Sequence, residues 1–370
     1  MAADETGGGR GGKIRVAVLF GGQSDEHDVS LRSAQTVIGA LDLAVYEVIP
    51  IGITRDGGWL TGGDPMRQLT ARSPLFALAP GEDAGGVPSA DDSNQELGPM
   101  AGSAILSGSV DVIFPVLHGP RGEDGTIQGL MELANLPYVG SGVLGSAVAM
   151  DKAMAKTILA EAGIPQGPWE LVTRASWRAE PETVRSRIEA TLGYPCFVKP
   201  ANLGSSVGIS KVHGADELAA ALDLAAHFDR RIVVERSLDA RELEIAVLGN
   251  ESPIASVPGE IVPCNEFYDY RAKYVDDGSE LIVPADVSDD VVARIQELAV
   301  RAFTALDLAG MARVDFFLER GTHDLYLNEV NTIPGFTSIS MYPMLWGASG
   351  IPLPELVERL IELAIERRQA

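Results

Sequence analysis

The sequence predicts a mixed α/β protein of two or three domains, and three observations carry that prediction. A chain of 370 residues is longer than one hydrophobic core usually organises. Near its start, KIRVAVLFGG, SLRSAQTVIGALD and YEVIPIGIT read as strand, helix and strand, an order that builds a parallel sheet with ligands at the carboxyl ends of its strands. Further on, strand-like and helical runs alternate in an order that suits an α+β unit.

Taken in order, residues 1–13 are Gly-rich and polar and are expected to form a disordered tail. An N-terminal α/β unit spans 14–139, its first helix opening behind a candidate cap at Ser30. Between 61 and 103 the composition shifts to Gly, Pro, Ser, Asp and Ala, which reads as a surface insertion. VDVIFPVLHG then resumes the sheet and DGTIQGLMELANL forms its next helix. SAVAMDKAMAKTILAEAGI reads as one helix stopped by Gly163 and Pro165. It opens a central unit, 140–238, with strands at CFVKPA, GISKV and RIVVERSL and a helix at DELAAALDLAAHF. The C-terminal unit, 239–370, holds strand ELEIAVLG, an aromatic and charged loop at 265–280, helix DDVVARIQELAVRAFTAL, a hairpin around 312–330 and a terminal amphipathic helix.

The bulk properties exclude several functions. A net charge of −23 argues against a nucleic-acid-binding or anionic-membrane-binding face, and a polyanionic ligand would need its own local cations. The two cysteines, Cys196 and Cys264, suit neither a disulfide framework nor a metal knuckle. With neither a signal-peptide pattern nor an 18-residue apolar run, a cytoplasmic protein is expected.

The hairpin carries the chemistry. MARVDFF and HDLYLNEV flank a turn at Glu319-Arg320-Gly321, and a turn centred near 322 sets Asp315 opposite Glu329. Side chains alternate faces along a strand, so Arg313, Asp315, Glu329 and Asn331 point the same way. Opposed carboxylates repel. Either Arg313 neutralises them alone, or a hard divalent cation bridges their oxygens, with Mg²⁺ favoured where phosphates complete its shell. The lack of nearby Cys or His argues against zinc. The Pro334-Gly335 turn that follows exposes backbone N–H groups suited to a developing negative charge.

Two other motifs fail on context. GGGRGGKI (7–14) begins like a P-loop, but Ile14 replaces the required Ser or Thr and the run precedes a strand instead of following one. GSSVG (204–208) matches a nucleophile elbow, but a strand follows it where a helix is needed. Read whole, FVKPANLGSSVGIS carries Lys199 to a strand end and then a Gly/Ser loop, which can close backbone donors over phosphates or serve as an ordinary hairpin connection.

GGQSDEHDVS, HGPRGEDGTIQG, MDK, VKPANLGSSVG, FYDYRAKY, ARVDFF and NEVNTIPGFTS, in this order and spacing, resemble the D-alanine–D-alanine ligases of the ATP-grasp superfamily from about residue 14 to the end. The resemblance implies a three-domain ATP-grasp fold with ATP between the central and C-terminal units. It implies ATP-dependent joining of two D-alanines through a D-alanyl phosphate, for peptidoglycan precursor synthesis, by a homodimer using two Mg²⁺ or Mn²⁺ ions.

Roles for matching positions follow from the same resemblance. Glu26 would hold the first D-alanine's ammonium, linked to Ser205 and Tyr274, with His118 beside that substrate. Lys152 and Lys199 would contact phosphates, and Ser205 and Ser206 would form the loop over them. Glu235 and Leu238 match the adenine-contacting segment and Glu242 the ribose contact. Tyr268 and Lys273 belong to the closing loop. Asp315, Glu329 and Asn331 match the metal ligands, and Arg313 and the Gly335 amide would stabilise the tetrahedral intermediate. Ser340 and the Met341 amide would bind the second substrate's carboxylate. The closing loop reads RAKY, the type that forms the dipeptide and not the D-lactate depsipeptide; a D-alanine–D-lactate or D-alanine–D-serine ligase of the same fold is the alternative. His27 stands where many members have Arg.

Overall fold

A computed structural model of the chain describes residues 12–71, 73, 96–97, 110–204, 206–263 and 280–369. Residues 1–11, most of the 61–103 insertion, and Cys264 with the closing loop up to 279 fall outside the described residues.

β1 (Ile14–Gly21), β2 (Tyr46–Ile53), β3 (Trp59–Leu60), β4 (Glu96–Leu97) and β5 (Val112–Val116) form the N-terminal sheet in the order β4-β3-β2-β1-β5. The expected parallel pairing holds for β1 with β2 and with β5, but β3 and β4 add antiparallel strands at one edge, so the sheet is mixed. β1 and β5 are almost continuously apolar because both faces are covered. α1 (His27–Ala40) packs Leu31, Ala34 and Val37 against Val16, Val18 and Phe20. The opposite face, Ala17, Leu19 and Ile113, meets Ile127 and Met131 of a helix at Thr126–Leu133. A short helix, α2 (Pro65–Thr70), lies in the described part of the insertion, its first turn capped by Asp64; the Thr126–Leu133 helix is α3.

The expected cap at Ser30 is wrong. α1 begins at His27, and Ser30 lies within it, where its hydroxyl accepts from Gly21 N at 2.8 Å and donates to Val116 O. That hydroxyl ties the helix to two strand ends instead of satisfying its first turn.

α4 (Val143–Met150) and α5 (Lys152–Glu161) replace the single helix expected there. Asp151 leaves the helical region (φ −81°, ψ 99°) and its carboxylate accepts from Ala153 N and Met154 N, capping chemistry inside a helical hydrophobic pattern. Then come β6 (Trp169–Thr173), α6 (Arg174–Ala179), α7 (Pro181–Thr191), β7 (Cys196–Pro200), β8 (Ser210–Val212), α8 (Ala215–Phe228) and β9 (Arg231–Arg236). Their antiparallel sheet, β6-β9-β7-β8, buries its own core of Val198, Val234, Leu218, Leu222 and Ile188 against α7 and α8.

The largest sheet comprises β10 (Ala240–Gly249), β11 (Ile254–Ala255), β12 (Gly259–Val262), β13 (Glu280–Ile282), β14 (Gly310–Glu319) and β15 (Leu325–Asn331), in the order β13-β12-β10-β14-β15 with β11 beside β10. One face (Leu243, Ile245, Val247, Val314, Phe316) packs on Leu298 and Phe303 of α9 (Asp289–Ala305). The other face is divided along its length. At one end Ala246, Leu248 and Met311 join Tyr342 and Trp346 of α10 (Met341–Ala348), Leu356 and Leu360 of α11 (Leu353–Gln369), and the N-terminal sheet in one core. At the other end the same alternation brings up Glu244, Arg313 and Asp315.

The β14/β15 register sets Arg313 opposite Asn331 and Asp315 opposite Glu329, as expected. It then shifts by one residue, so that Phe316 pairs with Leu327. The bulge reconciles two demands. Leu325 and Leu327 face the core on one side of it, and Glu329 and Asn331 face away from that core on the other.

Candidate active site

The divided face of β10, β14 and β15 forms one wall of a cleft of about 390 Å³, and the four-stranded sheet with α5 forms the other. Glu26, His118, Lys152, Lys199, Ser206, Glu235, Leu238, Glu242, Arg313, Asp315, Glu329, Asn331, Gly335, Ser340 and Met341 all line it. Ser205, Tyr268, Lys273 and Tyr274 lie outside the described residues.

On the acidic wall, Arg313 grips Asp315 with two parallel bonds, Nε to Oδ1 and Nη2 to Oδ2, each 2.8 Å. Asn331 Nδ2 donates to Asp315 Oδ2 at 3.0 Å. Glu244, opposite Asp315 on β10, brings a third carboxylate that no motif indicated, 3.0 Å from Arg313 Nε. Burial alone would weaken the charge on Arg313, but Asp315 and Glu244 outweigh it and hold the guanidinium firmly protonated.

On the facing wall, the break at Asp151 starts α5 so that Lys152 reaches the Gly/Ser loop, donating from Nζ to Leu203 O at 2.8 Å. The same Nζ lies 4.0 Å from Glu329 Oε2 across the cleft. Lys199, on β7, pairs with Glu235 on β9, and Lys156 binds the other oxygen of Glu235 at 2.6 Å. Lys156 is 4% exposed and was missing from the expected set. Its spacing of four from Lys152 was the available signal, since that spacing puts both on one helix face. Burial favours the neutral form of Glu235, yet Lys156 and Lys199 hold its carboxyl well below the usual range. The Glu235 side chain is thus committed to two lysines.

At the N-terminal end, Glu26 Oε2 sits where a Cβ on Gly119 would be 3.1 Å away and one on Gly204 3.3 Å away. The carboxylate therefore lies between the HGPRG turn and the Gly/Ser loop, and neither position has room to spare for a side chain. Glu123 is a second acid there that the sequence did not single out. Burial, reinforced by the charge of Glu26, pushes its carboxyl up to about 8. His27 is buried with Nδ1 2.7 Å from Gly22 O, and burial lowers its pKa; it holds the Gly22 turn and does not line the cleft.

Beyond the acidic wall, Ser340 is the N-cap residue of α10, and its Oγ accepts from Thr337 N at 3.0 Å. Met341, the first helical residue, buries its side chain in the core, so only its backbone is available to a ligand.

Two carboxylates and an amide are hard oxygen donors of the kind Mg²⁺ takes. Among the described residues, no three His, Cys, Asp or Glu side chains are grouped so as to hold a metal ion. No helix among the described residues is long and apolar enough to cross a membrane.

Known proteins share the sequence and fold of this chain over most of its length. Residues 15–141 match the family described as D-ala D-ala ligase N-terminus, and residues 158–362 match D-ala D-ala ligase C-terminus. A D-alanine–D-alanine ligase of Geobacillus kaustophilus (strain HTA426) is 52% identical over 367 residues, covering 96% of this chain and 96% of that protein. One from Ruminiclostridium cellulolyticum (strain ATCC 35319 / DSM 5812 / JCM 6584 / H10) is 51% identical over 366 residues, again covering 96% of each. Among solved structures, the D-alanine-D-alanine ligase from Coxiella burnetii superposes with a TM-score of 0.78 at 38% identity, covering 96% of this chain and 95% of its own. VanG D-Ala:D-Ser ligase from Enterococcus faecalis superposes with a TM-score of 0.81 at 36% identity, covering 95% and 100%. The chain belongs to the D-alanine–D-alanine ligase family.

Proposed function

We propose that the protein joins two D-alanines into D-alanyl-D-alanine with conversion of ATP to ADP and phosphate, supplying a peptidoglycan precursor. The observation that carries this reading is the cleft itself. Lys152 and Lys199 face Asp315, Glu329 and Asn331 across a gap that Lys152 spans to within 4.0 Å of Glu329, in a chain about half identical to curated ligases of that name.

ATP would lie between the walls, its phosphates against Lys152, Lys199 and the Ser205–Ser206 loop, its base near the segment from Glu235 to Leu238 and its ribose near Glu242. With the Glu235 side chain held by two lysines, base recognition falls to backbone and apolar contacts of that segment, and Glu235 itself serves to aim Lys156 and Lys199. Two Mg²⁺ or Mn²⁺ ions held by Asp315, Glu329 and Asn331 would neutralise the phosphate oxygens when bound.

The carboxylate of the first D-alanine, its ammonium held by Glu26 beside His118, attacks the γ-phosphorus, and ADP leaves. The amine of the second, its carboxylate on Ser340 and the Met341 amide, attacks the resulting acyl carbon, and phosphate leaves with the proton that the amine gives up. Arg313 and the Gly335 amide stabilise the oxyanion between these events. Tyr268, Lys273 and Tyr274 in the closing loop keep water from the acyl phosphate. A cytoplasmic homodimer is in keeping with the substrates and with apolar Leu133, Val143 and Leu144, exposed on neighbouring helices α3 and α4.

The experiment is phosphate release from Mg-ATP with D-alanine, L-alanine, D-alanine plus D-serine, or D-alanine plus D-lactate, followed by product mass. Phosphate with D-alanine alone and the D-Ala-D-Ala mass are expected. A predominantly mixed product would move the chain to the D-serine or D-lactate branch, and silence with every substrate would reject the activity.

A further inference from the structure

The turn that follows the acidic wall is gripped from the N-terminal sheet. Ile333 N donates to Glu123 Oε1 at 3.2 Å, and Glu123 Oε2 accepts from Gly119 N at 2.6 Å. His118 Nδ1 lies 3.0 Å from Ile333 O, and Phe336 N donates to Ser33 Oγ at 3.1 Å. Both backbone groups of Ile333 and the N–H of Phe336 are therefore held by side chains more than 200 residues away in the chain. Between them stand only Pro334 and Gly335.

The partners settle what each atom does. A carbonyl can only accept, so Nδ1 of His118 carries the proton. Burial lowers the pKa of this histidine, which is 5% exposed, and so favours the neutral ring, in which Nε2 is an acceptor. Ser33 Oγ lies 3.4 Å from Nε2, and Ser33 is completely buried. Its hydroxyl therefore accepts from Phe336 N and directs its proton at His118. The lone pair that a general base would use is already engaged.

We propose that Ser33, His118 and Glu123 are positioning residues that hold the backbone on both sides of Gly335, so that its amide points at the reacting carbonyl, and that His118 does not take the proton of the attacking amine. Proline locks its own φ, and the flanking peptides are pinned, so the Pro334–Gly335 peptide plane turns only through one torsion on each side. The N-terminal domain thereby aims a donor that belongs to the C-terminal domain. This inference rests on the ligase reading for the role of the Gly335 amide, but the grip itself does not.

The test combines amide hydrogen exchange over 333–336 with steady-state phosphate release, on the full-length protein. Ser33→Ala is expected to speed exchange in that segment by about tenfold and to lower kcat by about 10- to 100-fold, leaving the KM for ATP within about twofold. Unchanged exchange would overturn the grip; faster exchange with unchanged kcat would overturn its role in positioning. His118→Asn, whose amide can still donate to Ile333 O, is expected to keep about tenfold more turnover than His118→Leu, with the acid limb of the kcat–pH profile in its wild-type place. Equal losses, or a vanished acid limb, would reinstate His118 as the proton acceptor. Should the wild-type enzyme release no phosphate with any substrate, the ligase reading alone falls, and the exchange measurements still decide the grip.

Discussion

Glu244 on β10 stands directly opposite Asp315 on β14, and Arg313 Nε lies 3.0 Å from the first and 2.8 Å from the second. Asp315 in turn stands opposite Glu329, so three carboxylates cross the sheet in one row. Opposed like charges destabilise a sheet, and Arg313 is the cation that relieves this row at its centre. Arg313→Met should lower stability by about 3 kcal/mol, because it leaves buried carboxylates uncompensated. Millimolar Mg²⁺ should return part of the loss. Urea unfolding with and without the ion measures both, and an unaffected midpoint would show that the row does not need the guanidinium.

Glu329 differs from Asp315 in standing at the cleft edge, about a third exposed, with Lys152 as a distant partner. Glu329→Gln should therefore fold like the wild type while turnover falls by about 100-fold or more, the scale of removing one electrostatic contact from phosphoryl transfer. Chelation of divalent ions with EDTA should abolish phosphate release, and excess Mg²⁺ should restore it. Full activity in the Gln variant would remove Glu329 from the metal assignment.

The Glu235 carboxyl, pressed between Lys156 and Lys199, titrates well below its ordinary value of 4.5. A depressed carboxyl contributes stability that is fully present above the unfolded pKa and is lost as pH falls toward the folded one. The melting temperature should thus decline below about pH 4.5, more steeply in the wild type than in Glu235→Gln. Parallel curves for the two proteins would contradict the ion-paired geometry.

A Cβ on Gly335 would stand 2.8 Å from Ser340 Oγ. That is closer than a side chain tolerates, so Gly335→Ala must displace the hydroxyl proposed to receive the second substrate's carboxylate. The expected signature is a rise of about tenfold in the KM for D-alanine at the second site, with the KM for ATP unchanged. Equal rises in both would point to a general distortion of the cleft.

Much of this was legible in the chain. The alternation in ARVDFF and the turn at Glu319-Arg320-Gly321 specify the hairpin register, whereas no local pattern marks the one-residue bulge before Glu329. Asp151 and Ser30 were harder, each in its own way. A capping residue inside a continuous hydrophobic pattern looks like part of the helix, and a serine at a helix start looks like a cap even when its hydroxyl serves two strands. Glu244 was hidden because its place beside Asp315 depends on pairing between strands some 70 residues apart, a separation that no local period reports. Lys156 and Glu123 were written in motifs already noticed, MDKAMAK and HGPRGED, but their partners come from other elements. Long-range partners, unlike local patterns, have to be seen folded.

The divided face of β10 and β14 has a mechanical consequence. Because the strands that carry Arg313 and Asp315 continue directly into the core shared with the N-terminal sheet, those two parts of the molecule are packed as one body. The four-stranded sheet bearing Lys199 keeps a core of its own and touches the start of α5 through a small patch of Ala153, Ala201 and Val233. Ala155 and Leu159 of α5 lie in the core beneath β10 and β14, so Lys152 and Lys156 stand on the same packed body as the acids, Arg313 and the gripped turn. Of these three lysines, only Lys199 stands on a sheet with a separate core.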